Sequence, residues 1–301
     1  MGDGLTFGSS RPRSVPRASA SEAPTRWLVR FGYDGRPYGG WARQPTERTI
    51  EGEIRRGITR FGLSPRAPDT ELAVASRTDR GVSARANALA LRSTLEPASL
   101  LGGLNGIAPA LFFTAATPVG DAFRLRRPIR RTYRYFEPTS FGRPDRVLAA
   151  ARLLSGEIDV RSFGRGLPSG SPVLRTVSGL RIRHPESAPE IEVVAPSFVW
   201  GMVRKIVAAL RGVDRGRLSL DRLREAVEGR VRLTLPLAEA EPLVLWEVEY
   251  DLPWKYHWSG PTRHQLAFLR EERNAWAARG SVTSALAAEV EPRSETETVR
   301  P

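Results

Sequence analysis

The sequence predicts an α+β protein assembled from two consecutive β-α-β-β-α-β units, split βαβ or ferredoxin-like in order, with antiparallel sheets, helices over one face and a cleft on the other. Three observations carry that expectation. Trp27, Val29 and Phe31 alternate with the two-residue period of a strand; Ile50, Ile54, Ile58 and Phe61 recur at helical spacing; and the same succession of segments returns in the second half of the 301-residue chain.

Taken in order, the first unit has a strand around Trp27 to Phe31 and a helix over 50–61. Strands at 72–75 and 86–91 flank a turn, and a short helix near 97–104 leads to a strand at 111–115. The second unit opens with an aromatic strand at 132–136, then a helix over 147–154 that stops at Gly156. Strands at 176–182 and 191–194, a helix over 198–210 ended by Gly212, a helix at 220–227 and a strand at 243–250 complete it. Beyond it, Leu266, Leu269 and Trp276 share one face of a further helix and Arg270, Glu271, Glu272 and Arg273 the other, which predicts a helix packed on the domain.

Residues 1–25 are rich in Ser, Pro, Arg, Ala and Gly without apolar periodicity, and 280–301 has equally little to pack; both are expected to be disordered tails. Pro12, Pro16 and Pro24 would break the amphipathic helix of a transit peptide. The expected organisation is a basic tail, an N-terminal subdomain over 26–125, a C-terminal subdomain over 126–279, and a second tail.

Composition narrows the chemistry. With no cysteine, disulfides, thiolate-bound zinc, iron–sulfur clusters and cysteine nucleophiles are excluded. His184, His257 and His264 have no spacing that suggests a shared metal or a serine-type triad. No apolar run approaches the length of a membrane span, and the first residues lack the apolar core of a secretory signal, so a soluble, cytoplasmic protein is expected. The formal net charge is +13, and lysine occurs only at Lys205 and Lys255, so nearly all of the 46 basic residues are arginine. Arginine-rich codon usage accounts for the Arg:Lys ratio but not for the net charge, which favours a polyanionic partner.

The densest chemistry lies in the turn running from Ser76 and Arg77 through Thr78, Asp79 and Arg80 to Gly81, Val82, Ser83 and Ala84. If 73–78 is extended, Arg77 and Asp79 point to one side, and Gly81 lets the chain turn directly afterwards. A carboxylate between guanidinium groups is held in its charged form and serves as a nucleophile or an anchor. A surface ion pair in a hairpin is the alternative reading of these residues alone.

Five segments in order over roughly 26–250 resemble the tRNA pseudouridine synthase A family. The first runs from Tyr33, Asp34 and Gly35 through Gly39, Gly40 and Trp41 to Gln44, followed by Thr49-Ile50-Glu51-Gly52; the second is the turn just described. The third is Phe123-Arg124-Leu125-Arg126 with Arg131-Thr132-Tyr133-Arg134-Tyr135; the fourth is Arg161-Ser162-Phe163; the fifth spans Phe198-Val199-Trp200-Gly201-Met202-Val203-Arg204-Lys205-Ile206-Val207. The family often carries histidines where this chain has Phe123 to Arg126 and Trp200-Gly201, and asparagine where it has Lys205; the run from Gly81 to Ala84 is closer to archaeal members.

The resemblance implies a pseudouridine synthase fold, a homodimer that binds the anticodon arm of tRNA, and isomerisation of uridines 38, 39 and 40 of that arm without any cofactor or metal. It implies Asp79 as the catalytic carboxylate, Arg77 as the arginine that displaces the target nucleotide, Tyr133 as an active-site tyrosine and Arg204 as the partner of Asp79. Apart from the resemblance, Tyr133 in its aromatic strand reads as core, and Arg204 with Lys205 as the solvated face of a helix. A non-catalytic RNA-binding protein would share the charge and the paired units without needing Asp79, Tyr133 and Arg204 together; a base deaminase would need a zinc site that these residues do not supply.

Overall fold

The alternation at Trp27, Val29 and Phe31 becomes the buried side of β1 (Thr25–Tyr33), and the helical spacing from Ile50 becomes α1 (Ile50–Arg60). Thr49 caps α1 by accepting the Gly52 N–H at 3.2 Å, and Glu51 and Glu53 sit in the first turn, where the helix dipole favours negative charge. β2 (Ala73–Val74), β3 (Ser83–Ser93), α2 (Pro97–Asn105) and β4 (Leu111–Pro118) complete the first half, with strands antiparallel in the order β4-β1-β3-β2. This computed structural model describes residues 23–64, 71–167 and 170–290.

The second half repeats the arrangement with an insertion. β5 (Arg130–Phe136) is followed by α3 (Pro144–Leu153), the hairpin β6 (Gly156–Asp159) and β7 (Leu174–Val177), and then β8 (Gly179–Arg183) and β9 (Glu190–Ala195). Next come α4 (Met202–Asp214), α5 (Leu220–Val227), β10 (Leu243–Glu249), β11 (Tyr256–His257) and α6 (Arg263–Val290). β10-β5-β9-β8 are again antiparallel, each strand in the place its counterpart holds in β4-β1-β3-β2.

The two halves share one nine-stranded sheet, not two separate ones. β1 occupies one edge of β3 throughout, so the other edge is divided: Ala73 and Val74 of β2 pair with Ala90 and Leu89, and Val244 and Leu245 of β10 pair in parallel with Ser83 and Ala84. Residues 75–82 leave the sheet at this seam. On the side of β5 opposite the buried Tyr133 and Tyr135, Arg30 and Arg85 both reach Glu247, at 2.7 and 3.3 Å, and the guanidinium groups of Arg85 and Arg134 lie 4.7 and 3.9 Å from the Trp246 ring. Those contacts bind the halves together where only two residue pairs join the strands.

Several boundaries differ from expectation for identifiable reasons. The strand expected over 176–182 breaks at Ser178 because Val177 pairs with Gly156 and Gly179 with Val194, two different partners. Gly156, at φ +96°, does not merely end α3 but starts β6. α4 begins at Met202 and not at 198, since Gly201 has φ +73°, and it runs through Gly212 to Asp214 because a bare Cα there admits Leu218. α6 docks through buried Gln265, whose Nε2 donates to Asn105 Oδ1 at 2.8 Å and to the Leu111 carbonyl at 2.7 Å, with Phe268 beside it. Leu266 and Leu269, expected to pack, are exposed, whereas Trp276, half-exposed, lies with its ring 5.2 Å from the Arg36 guanidinium. Of the expected tails, Thr25 already belongs to β1 and 280–290 continue α6, while 1–22 and 291–301 lie outside the described residues. Among the described residues no helix is long and apolar enough to cross a membrane.

Gly57, buried in α1, sits against the stiff, branched side chain of Ile107, and a Cβ there would lie 2.4 Å from Ile107 Cγ1. Alanine normally stabilises a helix by about 1 kcal/mol over glycine. Here the collision reverses the sign: Gly57→Ala lowers the thermal midpoint, and adding Ile107→Ala restores part of the loss. A raised midpoint in the single variant would contradict this packing.

Candidate active site at the seam

The segment leaving the seam is tied down by four neighbours: β3, β1, the loop that carries Trp41, and β5. From β3, Asn87 Nδ2 donates to the Ser76 carbonyl at 2.8 Å; from β1, the Tyr33 hydroxyl shares a 2.8 Å hydrogen bond with Thr78 Oγ1; and the Trp41 N–H donates to the Thr78 carbonyl at 3.0 Å. Gly40, at φ +102°, lets the loop at 36–48 lie directly against these residues, since even a Cβ would come within 3.0 Å of the Thr78 carbonyl. From β5, Arg131 donates to Ser76 Oγ at 2.7 Å and to the carbonyls of Ala75, Arg126 and Pro196. Burial lowers the Arg131 pKa, and all four acceptors are neutral oxygens. Asp79 follows, with the Val82 N–H returning to its carbonyl at 3.2 Å and Gly81 at φ +79° closing the turn.

The second half then presents donors to that carboxylate. Arg204, in the first turn of α4, places Nη1 3.2 Å from Asp79 Oδ2, while its Nε donates to the Ala238 carbonyl. Trp200, just before α4, donates its indole Nε1–H to Asp79 Oδ1 at 2.7 Å. Tyr133 of β5 is 8% exposed and meets Phe198 edge-to-face at 5.0 Å. Burial pushes its hydroxyl up to about 12, and nearby Arg131 opposes the shift, so it carries its proton throughout the neutral range. These residues surround a cleft of about 460 Å³, also lined by Arg77, Arg126 and Leu243; among the described lining residues Asp79 is the only carboxylate.

Asp79, Tyr133 and Arg204, separated by up to 125 positions, therefore converge on one cleft. Arg77 lines it too, but as an exposed side chain: the ion pair of Asp79 is with Arg204, and Arg80 pairs instead with Glu47. The flanking arginines expected to hold the carboxylate thus do not, because 75–82 is a loop and not the extended segment that strand alternation assumes. Lys205 does not solvate α4. It is buried, its Nζ donates to the carbonyls of Ser162 at 3.1 Å and Gly164 at 3.4 Å, and burial lowers its pKa. Sequence reasoning missed Trp200, which it placed inside a helix, and Arg131, although Arg131 is in phase with buried Tyr133 and Tyr135.

A sheet of two related halves places, among the described lining residues, a single carboxylate among arginines at the seam, a cleft suited to chemistry on a polyanion, and the comparisons narrow it. Residues 150–251, from α3 through β10, match the family model described as tRNA pseudouridine synthase. The chain is 33% identical over 225 residues to tRNA pseudouridine synthase A of Pyrococcus horikoshii, covering 74% of this chain and 84% of that one. It is 31% identical over 229 residues to that of Pyrococcus furiosus (75% and 84%) and 33% over 259 residues to that of Methanosphaerula palustris (82% and 90%). The chain belongs to the tRNA pseudouridine synthase A family, and is an isomerase of tRNA uridines.

Asn87 is fully buried, and its side-chain amide is the donor that Ser76 receives from β3. Asn87→Ala leaves the Ser76 carbonyl unpaired in the interior at a cost of about 1–3 kcal/mol, and frees the loop that carries Asp79. Reduced stability in a denaturant titration, together with a lower turnover rate on tRNA, is expected; unchanged turnover would mean that Tyr33, Trp41 and Arg131 hold the loop without it.

Proposed function

We propose that the enzyme isomerises uridines in the anticodon stem-loop of tRNA with Asp79 as the nucleophile, acting in the cytoplasm as a homodimer. What supports the catalytic assignment is that, among the described residues, Asp79 is the only carboxylate lining a cleft that also presents Arg77, Arg126, Arg131 and Arg204. The reaction breaks the bond between N1 of the base and C1′ of the ribose, turns the base, and forms a bond from C5 to C1′. The C5 proton leaves to solvent and N1 gains one, so no electrons are exchanged. The carboxylate of Asp79 attacks the nucleotide, in a bond that breaks again before the C5-linked product leaves, or stabilises the cationic sugar, and Arg204 keeps its charge compensated while it does so.

A uridine within a stacked arm must be extruded, at a cost of a few kcal/mol that phosphate contacts and an inserted side chain offset. Arg77, exposed at the cleft, is the side chain in position to fill the vacated stack. Tyr133 offers a ring to stack on the base and a hydroxyl that stays protonated near neutral pH. The anticodon arm and the dimer rest on the family resemblance, and the net charge of +13 supports a polyanionic substrate.

Asp79→Asn keeps shape and removes charge. It is expected to abolish tritium release from tRNA labelled at uridine C5, while tRNA binding stays within about threefold of wild type; substantial turnover by that variant sinks the nucleophile assignment. For binding, light scattering is expected to show a dimer, and tRNA affinity to fall at least about tenfold between low and moderate salt as counterions compete for phosphates. A fully active monomer would refute the homodimer as the acting form, and salt-independent affinity would refute the electrostatic contribution.

A further inference from the structure

We propose that Trp200 is a positioning residue for the isomerisation: its indole N–H orients the Asp79 carboxylate. The inference rests on the reading of Asp79 as the reacting carboxylate. Trp200 is 50% exposed, so water is available to its N–H, and burial does not force the 2.7 Å bond to Asp79 Oδ1. The bond comes from how the segment is held. Gly201, at φ +73°, stops α4 short and keeps Trp200 out of the helix; a Cβ at that position would fall 2.8 Å from Leu237. The Arg165 N–H donates to the Trp200 carbonyl at 3.1 Å, and the Arg165 guanidinium lies 5.6 Å from the ring centre. Two positions earlier, Phe198 contacts Tyr133, so the same three residues ahead of α4 address both the carboxylate and the tyrosine of the cleft.

A carboxylate gripped through one oxygen still swivels about its last bond. Arg204 on Oδ2 and Trp200 on Oδ1 remove that freedom. Both bonds are charge-assisted, because the acceptor in each is the carboxylate, and losing either one frees the carboxylate to swivel.

The test compares Trp200→Phe and Trp200→His in the full-length chain, using unmodified tRNA transcript carrying C5-tritiated uridine, with Asp79→Asn in parallel. Phenylalanine keeps an aromatic ring and loses the donor; histidine retains an N–H. The proposal requires Trp200→Phe to lose about tenfold or more in kcat, with KM within about twofold, and an unchanged thermal midpoint. Histidine must recover most of the kcat. Wild-type kcat in the phenylalanine variant overturns it; so does a raised KM alone, which would make Trp200 a stacking surface. A loss that histidine fails to recover, or a phenylalanine variant that no longer folds, also overturns it, since the ring and not the N–H would then matter. If Asp79→Asn itself turns over, it is the nucleophile reading that fails, independently of Trp200.

Discussion

The parallel contact between β3 and β10 is the constraint on which the site depends. β3 is eleven residues long, and β2 covers only two of them, leaving the other end of that edge for Val244 and Leu245. Had β2 continued along β3, the second half would have had no strand to join and 75–82 would have been ladder, not loop. Because β2 stops, the chain must leave the sheet where the halves meet, so a carboxylate from the first half faces an arginine and an indole from the second. Parallel pairing over two residues is weak in itself. The seam is reinforced on one side by buried Leu245 and the Arg131 bonds to Ala75 and Ser76, and on the other by the cluster around Trp246 and Glu247.

The elements that were legible from the sequence were those whose large apolar residues recur with a single period. β1 and α1 declare themselves because Trp27, Val29 and Phe31, and Ile50, Ile54 and Ile58, each face one core. The doubled order was readable for the same reason. What periodicity could not show was the sharing of one β3 edge by two partners, since that depends on the length of β2 and on pairing 160 residues further along. The β6–β7 hairpin was hidden because Val177 and Gly179 serve different strands while reading as one alternating run.

The site was legible through its motifs and only partly through local geometry. Asp79, Tyr133 and Arg204 were named before their convergence could be known, but the expected support for Asp79 from its neighbours was misplaced. Sequence proximity suggested Arg77 and Arg80; the loop conformation sends Arg80 to Glu47 and brings Arg204 from α4 instead. Trp200 escaped notice because the apolar run from Phe198 reads as helix, and only the positive φ of Gly201 reveals that the three residues before Gly201 are free to face the cleft.

The treatment of buried cations explains how the cleft can hold one carboxylate and remain receptive to phosphates. Arg131 and Lys205 are both buried, and burying a cation without a partner is costly. Pairing them with Asp or Glu would be the usual remedy, but it would add negative charge beside the path of a polyanion. Instead, Arg131 is satisfied by three carbonyls and a hydroxyl, and Lys205 by the carbonyls of Ser162 and Gly164. Burial lowers the pKa of both, and no carboxylate partner opposes it. Arginine suits the first role because its planar fork reaches several oxygens at once. Neutral acceptors thus secure Arg131 at the cleft and Lys205 in α4 without adding negative charge, and among the described lining residues Asp79 is the only carboxylate.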